Sequence, residues 1–227
     1  MKFMLRHWYD ISLWIAIAIF VSLIVLWGDI SVMQRFAIAN LGVIFLHFFE
    51  EFGFPGGFGK LANTLLFDDS PAIERYPLNQ LSVWVGNWGF AVMFYLPPIF
   101  FPNVIWLGLM PMLFGMVGQL FSHAVLNNMM LKKAGLRYGY NSGLATALLG
   151  HTPLAVGYII YISGNSLATL WDWTIAVAYM IFAYLVVFRK RIITGMAKVN
   201  SPHPFDAIEL GRFNRLYCAP GTHVTSE

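Results

Sequence analysis

The chain has 227 residues, of which 58% are hydrophobic and only 11% charged, with a formal net charge of +3. Soluble domains carry about 25% charged residues, so this composition and a mean hydropathy of +0.64 exclude an ordinary soluble enzyme and indicate one membrane-embedded domain. The sequence has no basic stripe interleaved with aromatics, which argues against nucleic acid, and the single cysteine, Cys218, excludes an internal disulfide or a cysteine-based metal cluster.

A membrane helix needs roughly 20 mainly apolar residues, and six stretches are predicted as spans. The first, Trp8 to Trp27, is too long for the apolar core of a cleaved signal peptide. The A-x-A pattern Ala37 to Ala39 lies inside the second stretch, so the first is read as a retained helix. The second, Val32 to Phe52, ends on His47-Phe48-Phe49-Glu50-Glu51, and Asn40 shares the stripe of its polar residues. The following connection, Phe54 to Gln80, opens on Pro55-Gly56-Gly57, which demands a sharp turn beside Glu51. It is read as a connecting turn, the alternative being a lid whose Lys60 binds lipid phosphate.

The third span, Leu81 to Leu96, carries Asn87 and stops at Pro97-Pro98. The fourth, Asn103 to Met130, places Gln119, His123 and Asn127 four apart on one face. The fifth, Gly143 to Ser163, holds His151. The sixth, Ala168 to Phe188, begins near Trp171-Asp172-Trp173, an expected interfacial belt. Residues 1–191 are expected to form a single transmembrane domain, and residues 192–227 a polar, partly disordered cytoplasmic tail.

Lys and Arg set orientation. They occur at the N-terminus (Lys2, Arg6), between spans two and three (Lys60, Arg75), between four and five (Lys132, Lys133, Arg137) and after span six (Arg189, Lys190, Arg191). The other three connections have none. This alternation predicts an all-α polytopic bundle of six transmembrane helices with both termini cytoplasmic, in the plasma (inner) membrane.

With a rise of about 1.5 Å per residue, His47, Asn87, His123 and His151 all lie roughly 5 to 12 Å below the cytoplasmic boundary. Ionisable groups within spans face the bundle interior and mark functional sites. His47, Glu50, Glu51, His123 and His151 are therefore the candidate catalytic residues and candidate metal ligands, with Asn87 and Asn127 in support. Imidazole and carboxylate suit zinc or non-haem iron, which would supply hydroxide from water near neutral pH. A metal-free alternative is a glutamate–histidine pair acting as acid and base, with Asn127 or Asn87 stabilising an oxyanion.

His47-Phe48-Phe49-Glu50-Glu51, the glycine-rich Phe54-Pro55-Gly56-Gly57-Phe58 and the later histidines resemble the HXXEE family of small integral membrane proteins, over roughly spans two to five. The resemblance implies His47, Glu50 and Glu51 as the core of the site, completed by His123 or His151; it implies no substrate. The expected function is a membrane-embedded hydrolase, metal-dependent or not, with membrane lipids as partners and a small lipid-like substrate near the cytoplasmic leaflet. The rival expectation is a proton-coupled carrier with an intramembrane His/Glu relay.

Overall fold

The computed structural model describes residues 2–66, 71–186 and 194–218, and among these every regular element is helical. Five helices are long and apolar enough to cross a membrane: α1 (Lys2–Val25), α2 (Val32–Gly53), α3 (Gln80–Phe100), α4 (Ile105–Lys133) and α5 (Leu144–Gly164). The sixth expected span appears as a shorter apolar helix, α6 (Leu170–Val186). Its predicted end at Phe188 and the basic run Arg189 to Arg191 lie outside the described residues.

Helix starts follow local chemistry. Ser31 with Gln34, Asn79 with Ser82 and Thr169 with Asp172 each form a reciprocal capping box, satisfying amides that a helix start leaves open. Asp172, expected only as an interfacial residue, thus anchors the start of α6, where its Oδ2 accepts from Thr169 Oγ1 at 2.6 Å.

The central helix is α2. In its most apolar window 56% of residues are buried, against 28% for α1 and for α5. α1 lies along α2, and α6 packs on α4 with Trp106 against Tyr179 at 5.4 Å between ring centroids. Trp14, Ile24, Leu149, Leu170 and Trp171 point outward and are exposed. Such faces are costly in water and ordinary against hydrocarbon.

The segment after α6 carries a further helix, α7 (Ala207–Tyr217), started by an Asp206/Glu209 capping box. It docks onto the connection between α2 and α3. Gly57, at φ +91°, brings its backbone against that of Phe213, where a Cβ would stand 2.8 Å from the Phe213 nitrogen. Arg212 Nη1 donates to Phe52 O at 2.5 Å, Gln80 Nε2 to Glu209 Oε2 at 3.1 Å, and Ser142 N to Tyr217 OH at 3.0 Å. Lys60 is buried and donates to Asn214 Oδ1 at 3.1 Å, so it holds α7 rather than reaching into a lid. The described part of the expected tail therefore closes the end of the bundle at which the polar cluster sits.

Candidate functional site

His47 and Glu51 are one helical turn apart on α2, so both face the same neighbours. His123 reaches them from α4, and His151 from α5. Glu50 and Glu51, His123 and Asn127, and His151 all lie where the helices widen into π turns: Phe49–Gly53, Ser122–Asn127 and Ala147–His151. Such turns re-aim side chains and recur at functional sites. The rings also need room. A Cβ on Gly143 would collide with the His123 ring, and one on Gly115 would stand 2.6 Å from His151 Nδ1.

Three ligand atoms converge. Glu51 Oε1 lies 3.5 Å from His47 Nε2 and 3.3 Å from His123 Nε2, and all three side chains are buried. Among the described residues this is a His/Glu group whose donor atoms approach one another closely enough to share a metal ion. Two tetrahedral ligands at about 2.05 Å from zinc are themselves separated by about 3.3 Å. The observed spacings fit that edge.

The hydrogen bonds around the histidines engage the Nδ1 atom of each ring. Thr146 Oγ1 donates to Glu50 Oε2 at 2.5 Å, so it accepts from His47 Nδ1–H at 2.7 Å. Asn141 Nδ2 donates to His123 O at 2.8 Å, which turns its Oδ1 toward His123 Nδ1 at 3.0 Å. Asn127 Nδ2 lies 3.2 Å from the same ring nitrogen. His151 Nδ1–H donates to Asn40 Oδ1 at 2.9 Å. His47 and His151 thus each carry the Nδ1 proton and leave a lone pair on Nε2, whereas His123 Nδ1 lies between an amide oxygen and an amide nitrogen. Among the described residues, His47 Nε2 and His151 Nε2 are buried with no hydrogen-bond partner. Imidazoles oriented through Nδ1, with the Nε2 atoms of His47 and His123 aimed at one carboxylate, are the arrangement metal sites use. A His₂Glu set serves zinc hydrolases and, as two histidines and one carboxylate, non-haem iron.

The two glutamates separate in role. Glu50 turns away from the three-atom cluster and accepts four hydrogen bonds. Tyr140 OH donates at 2.8 Å and Ala145 N at 2.9 Å to Oε1, while Thr146 N at 2.8 Å and its hydroxyl donate to Oε2. Two of these donors are open amides in the first turn of α5, where a helix favours an anion. Four donors offset the several kcal/mol that burying a lone carboxylate costs. Burial and then the adjacent Glu50 carboxylate hold the Tyr140 phenol well above its ordinary range, so it remains a donor.

The other sequence candidates take distinct places. The His151 ring centroid lies 5.7 Å from that of His47, and the residue stands beside the three-atom group rather than in it. Asn127 Nδ2 donates to Asn141 Oδ1 at 3.4 Å beside the His123 ring, and Asn40 supports His151. Gln119 is within reach of His47. Asn87 is half-buried on α3, and no contact of its side chain with the cluster is seen among the described residues. Sequence reasoning missed Thr146, Asn141 and Tyr140. The available signal was polar residues at the start of an apolar helix, where open amides attract a carboxylate from elsewhere.

A family model described as "Protein of unknown function with HXXEE motif" matches residues 37–158. That stretch is more than half of the chain and spans His47 through His151, so the chain belongs to the HXXEE family. No curated protein and no solved structure matches it.

Proposed function

We propose that the chain is a six-span membrane enzyme, both termini cytoplasmic, that uses a divalent metal to hydrolyse a lipid-like substrate near the cytoplasmic leaflet. The observation that carries this reading is the meeting of His47 Nε2, His123 Nε2 and Glu51 Oε1 from two helices, at spacings of 3.3 and 3.5 Å to the carboxylate. Three protein ligands leave a position open for water or substrate. A zinc or iron(II) ion held there would polarise a substrate carbonyl or phosphoryl oxygen and make hydroxide available near neutral pH.

The protein's own groups then divide the work. Glu51 neutralises part of the cation charge, and Thr146 and Asn141 hold the two histidine rings in register. Glu50, saturated by four donors, is a positioning residue: it anchors Thr146 and the start of α5. Gln119, beside His47, helps to hold that ring. Packing of the site inside an apolar bundle excludes bulk water, which strengthens each of these interactions. The test is to incubate the purified full chain, loaded with zinc or iron(II), with total membrane lipid and follow products by mass spectrometry. Products heavier by one water across a cleaved ester or amide bond, absent with Glu51→Gln, support the hydrolase. An unchanged lipid profile with metal-loaded wild type contradicts it.

One observation favours the carrier as a second reading. A small cavity lined by Met33, Pro98, Phe101, Asn40 and Tyr95 lies toward the end opposite the basic loops. Among the described residues Asn40 Nδ2 and Tyr95 OH have no hydrogen-bond partner there, and Asn40 holds His151. Polar groups would thereby continue from the far face to the cluster. Proton uptake by proteoliposomes that depends on His151, with no lipid turnover, would select this reading.

A further inference from the structure

Away from the His/Glu cluster, a groove of about 420 Å³ opens between α1, the end of α2 and α7. Its α7 wall carries Ile208, Arg212 and Arg215, spaced so that they share one helical face. Asp10 of α1 and Phe49 and Phe54 from the end of α2 line the other side. Arg212 spends one N–H on Phe52 O and stacks over the Tyr9 ring at 5.1 Å, which leaves further N–H groups of its planar fork. Arg215 is exposed. Asp10 Oδ2 lies 3.2 Å from His7 Nδ1, and its side chain is 47% exposed, so the carboxylate stays open to a ligand. Phe54 and Ile208 are 68% and 67% exposed, at a helix end where the chain meets the interface.

We propose that this groove binds the headgroup of an aminophospholipid, with the phosphate on Arg215 and Arg212 and the primary ammonium on Asp10. Two guanidiniums present forked N–H donors to the oxygens of one phosphodiester, and the charge left over from its single negative charge is offset by Asp10. A carboxylate beside them would repel a purely anionic headgroup, and a headgroup ammonium gives it a partner. Phe54 and Ile208 border the polar groups as the glycerol and first acyl carbons require, since aromatic and apolar side chains concentrate at this depth. The site does not depend on the metal reading. Phe49 faces the groove, while Glu50 and Glu51, next in sequence, face α5 and α4, so a lipid held here sits behind the catalytic turn rather than at it.

The test uses the purified full chain in detergent micelles, exposed to an equimolar mixture of phosphatidylethanolamine and phosphatidylglycerol with identical acyl chains. Native mass spectrometry counts retained lipid. Wild type should retain phosphatidylethanolamine preferentially. Arg215→Gln should weaken its retention at least tenfold, and Asp10→Asn should remove the preference over phosphatidylglycerol. Lys132→Gln with Lys133→Gln, on a different loop, should leave retention unchanged. All these side chains lie at the surface, so the variants keep the fold, which circular dichroism checks. Equal retention of both lipids by wild type, undiminished retention by Arg215→Gln, or displacement by millimolar inorganic phosphate would each overturn the proposal.

Discussion

Replacing Thr146 with Val removes one hydroxyl and changes little else in volume. In the folded protein that hydroxyl accepts His47 Nδ1–H at 2.7 Å and donates to Glu50 Oε2 at 2.5 Å. His47 is fully buried, so its Nδ1–H would lose its acceptor without gaining water. A buried donor left unpaired costs about 1–3 kcal/mol. Glu50 keeps three donors, from Tyr140, Ala145 and the Thr146 amide position, so its share of the loss is smaller. The His47 ring would then be free to turn its bare nitrogen away from Glu51. Loss of such a supporting contact weakens metal binding by about 10–100-fold, which matches the energy of one unpaired donor. Competition of zinc between the full chain and a chelating dye measures this. Thr146→Ser, which restores the hydroxyl, should bind within a few-fold of wild type. Wild-type zinc affinity in Thr146→Val would refute the assigned tautomer and with it the reading of His47 Nε2 as a ligand.

The two adjacent glutamates should respond oppositely. Glu51→Gln should abolish metal retention yet leave thermal unfolding without metal unchanged or higher, because a charge beside bare imidazoles is removed. Glu50→Gln should lower stability by roughly 3 kcal/mol, since its amide NH₂ would face donors from Tyr140, Ala145 or Thr146; thermal melts in detergent separate the two, and identical melts would contradict the division of roles. Gly143→Ala should cost both stability and metal, because residue 143 has φ +97° and its side chain would strike the His123 ring; unaltered zinc retention would show that His123 is not held there. Burial raises the Glu209 carboxyl from 4.5 to about 7. Below pH 4.5 the folded and unfolded forms are both protonated. Between the two values the folded form binds the proton more tightly, so rising pH weakens the docking of α7, by up to about 3 kcal/mol once pH exceeds 7. Amide exchange within Ala207–Tyr217 should therefore be faster at pH 8 than at pH 5.5 after correction for intrinsic rates, and Glu209→Gln should remove the difference.

Much of the helical architecture was readable because hydrocarbon imposes one strong rule: about 20 apolar residues per span. Five helices satisfy it by length and composition. The sixth stretch, Leu170–Val186, is shorter among the described residues. The shared level of His47, Glu51, His123 and His151 was legible because helical rise converts sequence position into depth. Depth alone could not say which groups face one another. Asn87 sits at a similar expected level, yet among the described residues no contact of its side chain with the cluster is seen. Glu50 and Glu51 were indistinguishable by type and position, and only the start of α5 separates them, by supplying two amides to one of the pair. The rings' seats on Gly143 and Gly115 come from close packing between helices, which no spacing rule reveals. The docked helix α7 was hidden by its polar composition, since its stability comes from pairing with the connection after α2 rather than from apolar periodicity.

The most direct measurement is X-ray absorption at the metal edge of the full chain loaded with one equivalent of zinc, beside His47→Ala, Glu51→Gln and His123→Ala. The account predicts one ion per chain in wild type, with two imidazole nitrogens and one carboxylate oxygen at about 2.0–2.1 Å, and loss of stoichiometric binding in each variant. A wild-type chain that retains no zinc and no iron(II) while remaining folded, or one whose ion survives all three substitutions, would contradict the account.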